Sequence, residues 1–392
     1  MTLFAEFHLI QSFAPSNLNR DDTGAPKDAV FGGHRRARVS SQCFKRSVRL
    51  HVGQQGTLAP AALGVRTKKL QQLLVAALAE RGLTNAEERI AVALEAAGLT
   101  LDDKGATQYL LFLGRGEVQA LADMIHTHWD ALAPAASAPA DPGKRTKKQA
   151  KAAAPDEVKK AVKRLLDGGK AVDVALFGRM LADLPEANQH AACQVAHALS
   201  THRVEREFDY FTAVDDEGGA DETGAGMIGH VEFNAATFYR YAVVDVHKLV
   251  SNLQGDSALA LQGLAAFAEG LARALPTGKQ NSFAAHNPPS FVGVVLRHGS
   301  PLNLCNAFER PVAPKPHQRL TELSVAAMAE HEMRMAAFYG DSRDRWAVLD
   351  DTGAWPAAQG AAQTSLAALV QWLREQVQPL LPASRPVAIA EG

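Results

Sequence analysis

Cysteine is scarce in this chain. Cys43, Cys193 and Cys305 are all that 392 residues contain, far apart and odd in number. With no Cys-x-x-Cys pair, they exclude a disulfide framework and a cysteine-built zinc site. Long apolar runs are also absent. No stretch approaches the roughly 20 apolar residues of a membrane span, and the opening MTLFAEFHLIQ has neither the basic start nor the apolar run of a secretory signal. A cytoplasmic protein with no membrane partner is the expectation. Net charge is nearly missing, at -1, so composition taken whole gives no reason to expect nucleic acid. The Gly-x-Ser-x-Gly, Gly-x-x-x-x-Gly-Lys-Ser/Thr and His-Glu-x-x-His motifs are absent too, which removes the common serine-hydrolase, P-loop and zinc-protease chemistries. What is there is 47% hydrophobic residues, enough at this length for a large core and roughly one to three domains.

The most informative absence is local. From Ala29 to Ala79 there is no Asp or Glu, yet the window holds Arg35, Arg36, Arg38, Lys45, Arg46, Arg49, Arg66, Lys68 and Lys69. A one-sign block inside a near-neutral chain is an electrostatic feature that composition hides. Its core reads as a polar, turn-rich loop from Asn17 to Gly33, a short strand over Arg36–Val39, and a helix capped by Ser40 or Ser41. On that helix Gln42, Lys45, Arg46 and Arg49 recur at i, i+3, i+4 and i+7, with Phe44 and Val48 opposite. Unpaired first-turn N–H groups, a positive dipole end and a ridge of cations suit phosphates. An ordinary basic run is a solvated face. The missing acidic partners and the capped start favour a polyanion site here.

Elsewhere the pattern is mixed. Alternation over 2–11 predicts a first strand. Residues 56–195 read as a helical insertion, with helical spacing over Lys68–Glu80, Asn85–Ala97 and Glu117–Leu132. Inside it, 133–155 is Ala/Pro/Lys-rich, low in complexity and expected to be a mobile loop, with Lys144, Arg145, Lys147 and Lys148. A basic helix follows with Lys159, Lys160, Lys163 and Arg164. Then come VDVALFGRM, a helix over Pro185–Ser200, a strand over 202–214 and a Gly/acid hairpin tip over 215–226 without EF-hand spacing. A strand over 228–244, a helix over 256–275, a strand over 290–298 and helices near 321–338 and 363–379 complete the chain. Stripped of insertions, the order is strand, helix, strand, strand, helix, strand, the ferredoxin-like order that RRM domains share. The fold class expected is α+β. The aromatic RRM consensus is absent, so RNA would be held by the basic helix and loop rather than stacked on the sheet.

Asp21, Asp22 and Asp28 are the carboxylates nearest the basic block. They offer a metal-dependent ribonuclease base. The ordinary alternative, favoured because no second acidic or histidine cluster has ligand spacing, is pairing with Arg20, Lys27 and nearby arginines. The chain is therefore expected not to be an enzyme and to need no cofactor or metal. Lone histidines such as His126, His128, His197 and His202 are ordinarily structural. Met180 and Phe211 are apolar and ordinarily core; the functional alternative is a wedge into a base stack, with Tyr210 and Thr212 beside it.

At these residues a family resemblance emerges. LNRDDxxxxKDAxFGGxRRxRxSSQxxKRxxR resembles the start of the type I-E CRISPR Cascade backbone subunit, the CasC family. So do ALFGRM (175–180), AHALSTH (196–202), DYFTAVDD (209–216), FYRYA (238–242), KQNSFAAHNP (279–288) and PLNLCNAFE (301–309). The resemblance implies a non-catalytic subunit whose copies polymerise along a CRISPR guide RNA (crRNA) for antiviral defence. It implies an RRM-like (ferredoxin-like) palm over 1–55 and 196–392, a large helical fingers insertion over 56–195 and a β-hairpin thumb over 202–230. It also implies roles. Lys27, Ser40, Gln42, Lys45 and Arg49 grip the guide backbone, beside Arg46. Asn19, Arg20, Arg35, Arg36 and Arg38 support the groove. Phe211 and Thr212 belong to the thumb of a neighbouring copy that flips a base out, and Met180 packs at that kink. Lys159, Lys160, Lys163 and Arg164 meet target DNA without sequence preference. The partners implied are guide RNA, target DNA, further copies, and the other Cascade subunits: large, small, 5'-end cap and crRNA endoribonuclease. A purely structural oligomer with an incidental basic face is the third reading.

Overall fold

The computed structural model describes residues 2–133, 156–166, 169–181, 183–213 and 227–382. All but the first residue of the 133–155 tract, and the whole 215–226 tip, lie outside the described residues. In chain order the described strands are β1 Phe4–Ser16, β2 Asp28–Phe31, β3 His34–Val39, β4 Gly64–Thr67, β5 Leu111–Gly114, β6 Cys193–Val195, β7 Ala198–Ser200, β8 Glu207–Ala213, β9 Met227–Asp245, β10 Phe291–Arg297, β11 Arg345–Asp350 and β12 Ala361–Ala362. The chain forms two compact units. Unit 1 comprises Met1–Gln54, Gln194–Val246 and Leu264–Leu380; unit 2 comprises Gln55–Cys193, His247–Gly263 and the described part of Leu381–Gly392.

Unit 1 is built on one sheet in the order β12-β11-β10-β1-β9-β7-β3-β2, with β8 paired to the first part of β9 as a hairpin. At its centre each neighbouring pair in β10-β1-β9-β7 is antiparallel. The alternation expected for β1 puts Leu3, Ala5, Phe7 and Leu9 on one face. Its other face is buried as well, through Glu6, His8 and Ile10. The Phe7 face is covered by the helix Ser257–Arg273, where Phe7 meets Phe267 edge-on at 5.5 Å. The opposite face carries a core of Ile10, Tyr239, Phe291, Phe308, Val325 and Met328. Buried charge on that face is paired: Arg297 Nε donates to Glu6 at 2.8 Å, and Arg297 also meets Asp344 at 3.1 Å. Unpaired, such groups would be costly.

The first helix, α1 (Ser41–Gln55), buries Phe44, Val48 and Val52. A Cβ on Gly270 would lie 2.9 Å from Val48 Cγ1, so glycine lets α1 approach the Ser257–Arg273 helix closely. Unit 2 holds the antiparallel β4–β5 pair and the helices Leu70–Ala79, Glu87–Ala96, Arg115–Thr127 and Asp156–Leu165 around Leu74, Ile90, Leu121, Ile125, Val158 and Val162. Residues 247–263 belong with it: Lys170 pairs with Asp256 at 2.8 Å, and Asn252 donates to the Ala175 and His190 carbonyls.

Two expectations are corrected. Pro185–Ser200 is not a helix. It starts with a 3-10 turn, Pro185–Ala187, and continues into β6 and β7. Its Ala-rich spacing mimics a helix, but Ala198 and Ser200 are buried by pairing with β3 and β9. The 17–33 loop is also shorter than expected, because Asp28–Phe31 pairs with His34–Val39 across a Gly32-Gly33 turn. Both glycines have positive φ, +58° and +76°, which that turn requires.

Candidate nucleic-acid interface

The loop before β2 is held by its own polar side chains. Asn17 Nδ2 donates to the Gly24 and Glu232 carbonyls, each at 2.9 Å. Asp21 accepts from the Thr23 hydroxyl and from the Thr23 and Ala25 amides, and these bonds hold its carboxyl below the usual range. Asp28 pairs with Arg35 at 3.0 Å and Arg206 at 2.9 Å, while Asp22 is exposed. Asp21 and Asp28 are therefore engaged in structure. Among the described residues, no group of three or more His, Cys, Asp or Glu stands together as metal ligands would.

The basic residues divide sharply. Arg36 is fully buried and donates to the carbonyls of Ser200 at 2.9 Å, Phe308 at 2.7 Å and Glu309 at 3.1 Å. It clamps the β2–β3 hairpin and presents no donor at the surface, so any support it gives the groove comes from within the fold. Arg38 donates to the Asp28 carbonyl at 2.9 Å and lies 3.0 Å from His197 Nδ1. Burial, with the charge of Arg38, pushes the His197 imidazole down. Asn19 is also tied inward, accepting from the Ser40 amide at 2.9 Å, and Ser40 Oγ accepts from Cys43 N at 3.4 Å, a loose N-cap.

On α1 the expected face is realised: Gln42 and Arg46 are exposed, Lys45 and Arg49 are half-buried, and Phe44 and Val48 are buried. Among the described residues Arg20, Lys27 and Arg46 have no carboxylate within ion-pair distance. Asn19, Arg20, Asp21, Cys43, Arg46 and Thr277 line a cavity of about 350 Å³. Behind the helix sits Arg240, which the sequence reading missed. Its guanidinium stacks 3.9 Å from the Phe44 ring centre and donates to Gln11 at 2.6 Å. Burial pushes it down to about 9, so it stays charged at neutral pH and adds positive potential beneath α1. An arginine inside the apolar run FYRYA was the available signal.

The two candidate wedges are not core. Phe211 is 40% exposed on β8, beside exposed Phe208, Tyr210 and Thr212. It stands opposite Gly229, where a Cβ would come within 2.6 Å of ring carbon Cε1, so glycine gives the ring its seat. In unit 2, Met180 is 80% exposed. The residues before it are rigid. Gly178 has φ +76°, and a Cβ there would lie 2.8 Å from Ala191 N. Arg179 is buried and binds both Glu117 oxygens, at 2.9 and 3.0 Å, with the Leu166 and Ala187 carbonyls. Also in unit 2, the Asp156–Leu165 helix buries Val158 and Val162 and exposes Lys160, Lys163 and Arg164, with Lys159 half-buried. Lys163 pairs with Glu186 at 2.7 Å. Lys159, Lys160 and Lys163 line a cavity of about 420 Å³.

The described residues thus form a mixed α+β fold with a basic face on α1 and an exposed aromatic hairpin. Solved structures share that fold. One, a "CRISPR RNA-guided surveillance complex, pre-nicking", is 30% identical with a TM-score of 0.78, covering 95% of this chain and 99% of that one. Another, a "CRISPR RNA-guided surveillance complex", is 25% identical with a TM-score of 0.60 and the same coverage. No curated protein matches. Residues 5–372 match the family described as CT1975-like protein, and the chain belongs to that family. The resemblance to Cascade backbone subunits drawn from its motifs holds.

Proposed function

We propose that this chain is a non-catalytic, crRNA-binding backbone subunit of a type I-E Cascade complex in the cytoplasm, whose copies polymerise along the guide and leave its bases open for pairing with target DNA. The observation that carries this is the basic face of α1, flanked by Arg20, Lys27 and Arg46 without acidic partners among the described residues. A face of this kind grips phosphates and leaves sequence reading to Watson–Crick pairs. The antiparallel β10-β1-β9-β7 order supports a ferredoxin-like, RRM-like palm; unit 2 would supply fingers, and β8–β9 a thumb. The exposure of Phe211 and Met180 supports their roles at a guide kink. Lys159, Lys160, Lys163 and Arg164 would meet target DNA through its backbone. No helix among the described residues is long and apolar enough to cross a membrane.

Binding of a labelled guide RNA with magnesium across a salt series tests this, comparing wild type with Lys45→Ala/Arg49→Ala. Steep salt dependence that the double variant flattens, with intact RNA, is the expected result. Equal binding by both proteins would refute the assignment of α1. Magnesium-dependent cleavage lost on Asp→Ala at 21, 22 or 28 would replace it with a ribonuclease. Assembly indifferent to RNA and salt would indicate a purely structural oligomer.

A further inference from the structure

Lys279 opens the KQNSFAAHNP block, which the proposed function leaves without a role. Its backbone is unusual. Lys279 has φ +51° and ψ +24°, Ala284 has φ +46° and ψ +38°, and these two left-handed residues bracket the single turn Gln280–Phe283. Residues with a Cβ avoid this region unless their surroundings hold them there. Here they do. Gly278 lies against the Leu18 carbonyl, and a Cβ on it would come within 2.8 Å of Asn17 O. Gln280 Nε2 donates to Pro276 O at 2.9 Å, and the Phe283 ring meets Phe233 at 5.7 Å. The turn is thus anchored beside Leu18, the residue preceding Asn19 and Arg20.

Thr277 and Gly278 line the same cavity as Arg20 and Arg46. Lys279 comes next, half-buried, with no carboxylate within ion-pair distance among the described residues. Glycine is the residue that a φ of +51° favours. A lysine at that position gives up backbone ease, and it directly follows two residues that line the cavity of Arg20 and Arg46.

We infer that Thr277–Ser282 forms the second wall of the groove whose first wall is α1, and that Lys279 contacts a phosphate of the bound RNA strand. The inference rests on the RNA-binding reading above. Exposed Asn281 and Ser282 add hydrogen-bonding groups to the same wall. A single ridge attracts a phosphate chain; a facing wall restricts its path.

The experiment compares the full-length wild type with Lys279→Gly and Lys279→Arg, using a fluorescent single-stranded RNA oligonucleotide and a fourfold salt range. Lys279→Gly removes the charge while relaxing the backbone, so its melting temperature should be unchanged or higher. Its log–log salt slope should be shallower by about 0.7, so fourfold more salt weakens it about 2.6-fold less than wild type. Lys279→Arg should keep the wild-type slope. A Lys279→Gly slope equal to wild type, or Lys279→Arg as defective as Lys279→Gly, overturns the inference. The Lys45→Ala/Arg49→Ala protein is measured alongside. If it loses salt dependence while Lys279→Gly does not, the inference fails and the RNA-binding reading stands. If wild type itself shows no salt dependence, both fail.

Discussion

Replacing Arg179 by Met should destabilise unit 2 strongly. Both side chains of the Arg179–Glu117 pair are 1% exposed, and the guanidinium reaches both carboxylate oxygens and the Leu166 and Ala187 carbonyls. The substitution would leave Glu117 buried without the guanidinium, still accepting from the Gly114 amide at 2.6 Å. Removing one member of a buried ion pair costs about 3–5 kcal/mol. Each carbonyl deprived of its donor costs about 1 kcal/mol more, although losses within one network do not simply add. A total near 4 kcal/mol, at about 2–4 °C per kcal/mol for a domain of this size, lowers the melting midpoint by about 8–16 °C. Thermal unfolding followed by circular dichroism measures the shift, and amide exchange at Gly114 and Arg179 locates it. Lys163→Met is the control. Its pair with Glu186 is about half exposed on both sides, and losing it should cost at most about 1 kcal/mol. An Arg179→Met midpoint no lower than that of Lys163→Met would refute the reasoning. It would also remove the argument that Met180 is displayed from a rigid support.

Arg36→Met should destabilise unit 1 far more than Arg35→Met in urea unfolding, because it strips donors from three carbonyls while Arg35 is largely exposed. Gly229→Ala should displace the Phe211 ring and impair assembly on guide RNA while leaving the melting midpoint within a few degrees; electrophoretic mobility of the assembled particles reads the first and circular dichroism the second. Asn19→Ala should cost about 1 kcal/mol in urea unfolding by leaving the Ser40 amide without its acceptor. Burial holds the imidazoles of His8 and His202 below their usual range, so the unfolded chain binds protons that the folded chain refuses. This stability is complete above about pH 6.5 and falls as pH drops toward the folded values. Melting temperature should decline from pH 7 to 5, and His202→Gln should flatten part of that decline.

Legibility followed the range of the interaction. The face of α1, the Asp156–Leu165 helix and strand β9 could be read from periodicity, because one element's burial pattern is written in its own residues. Pro185–Ser200 misled because its partners lie far along the chain: Leu199 pairs with Arg38 on one side and Tyr239 on the other. Composition also could not rank the cations. Arg35 and Arg36 are neighbours on one strand, yet one reaches solvent and the other fills a socket of carbonyls contributed by residues 200, 308 and 309.

By itself, then, the sequence determined the basic block, its helical face, the family motifs and the α+β order of elements. These depend on local spacing and on residue identity. The tertiary structure alone decided which arginines are spent inside the fold, that Met180 and Phe211 face outward, that Arg240 lies beneath α1, and that Thr277 and Gly278, just before Lys279, line the cavity of Arg20 and Arg46. Each of those facts depends on residues distant in sequence being brought together, because burial and charge compensation belong to the packed chain rather than to any one segment of it.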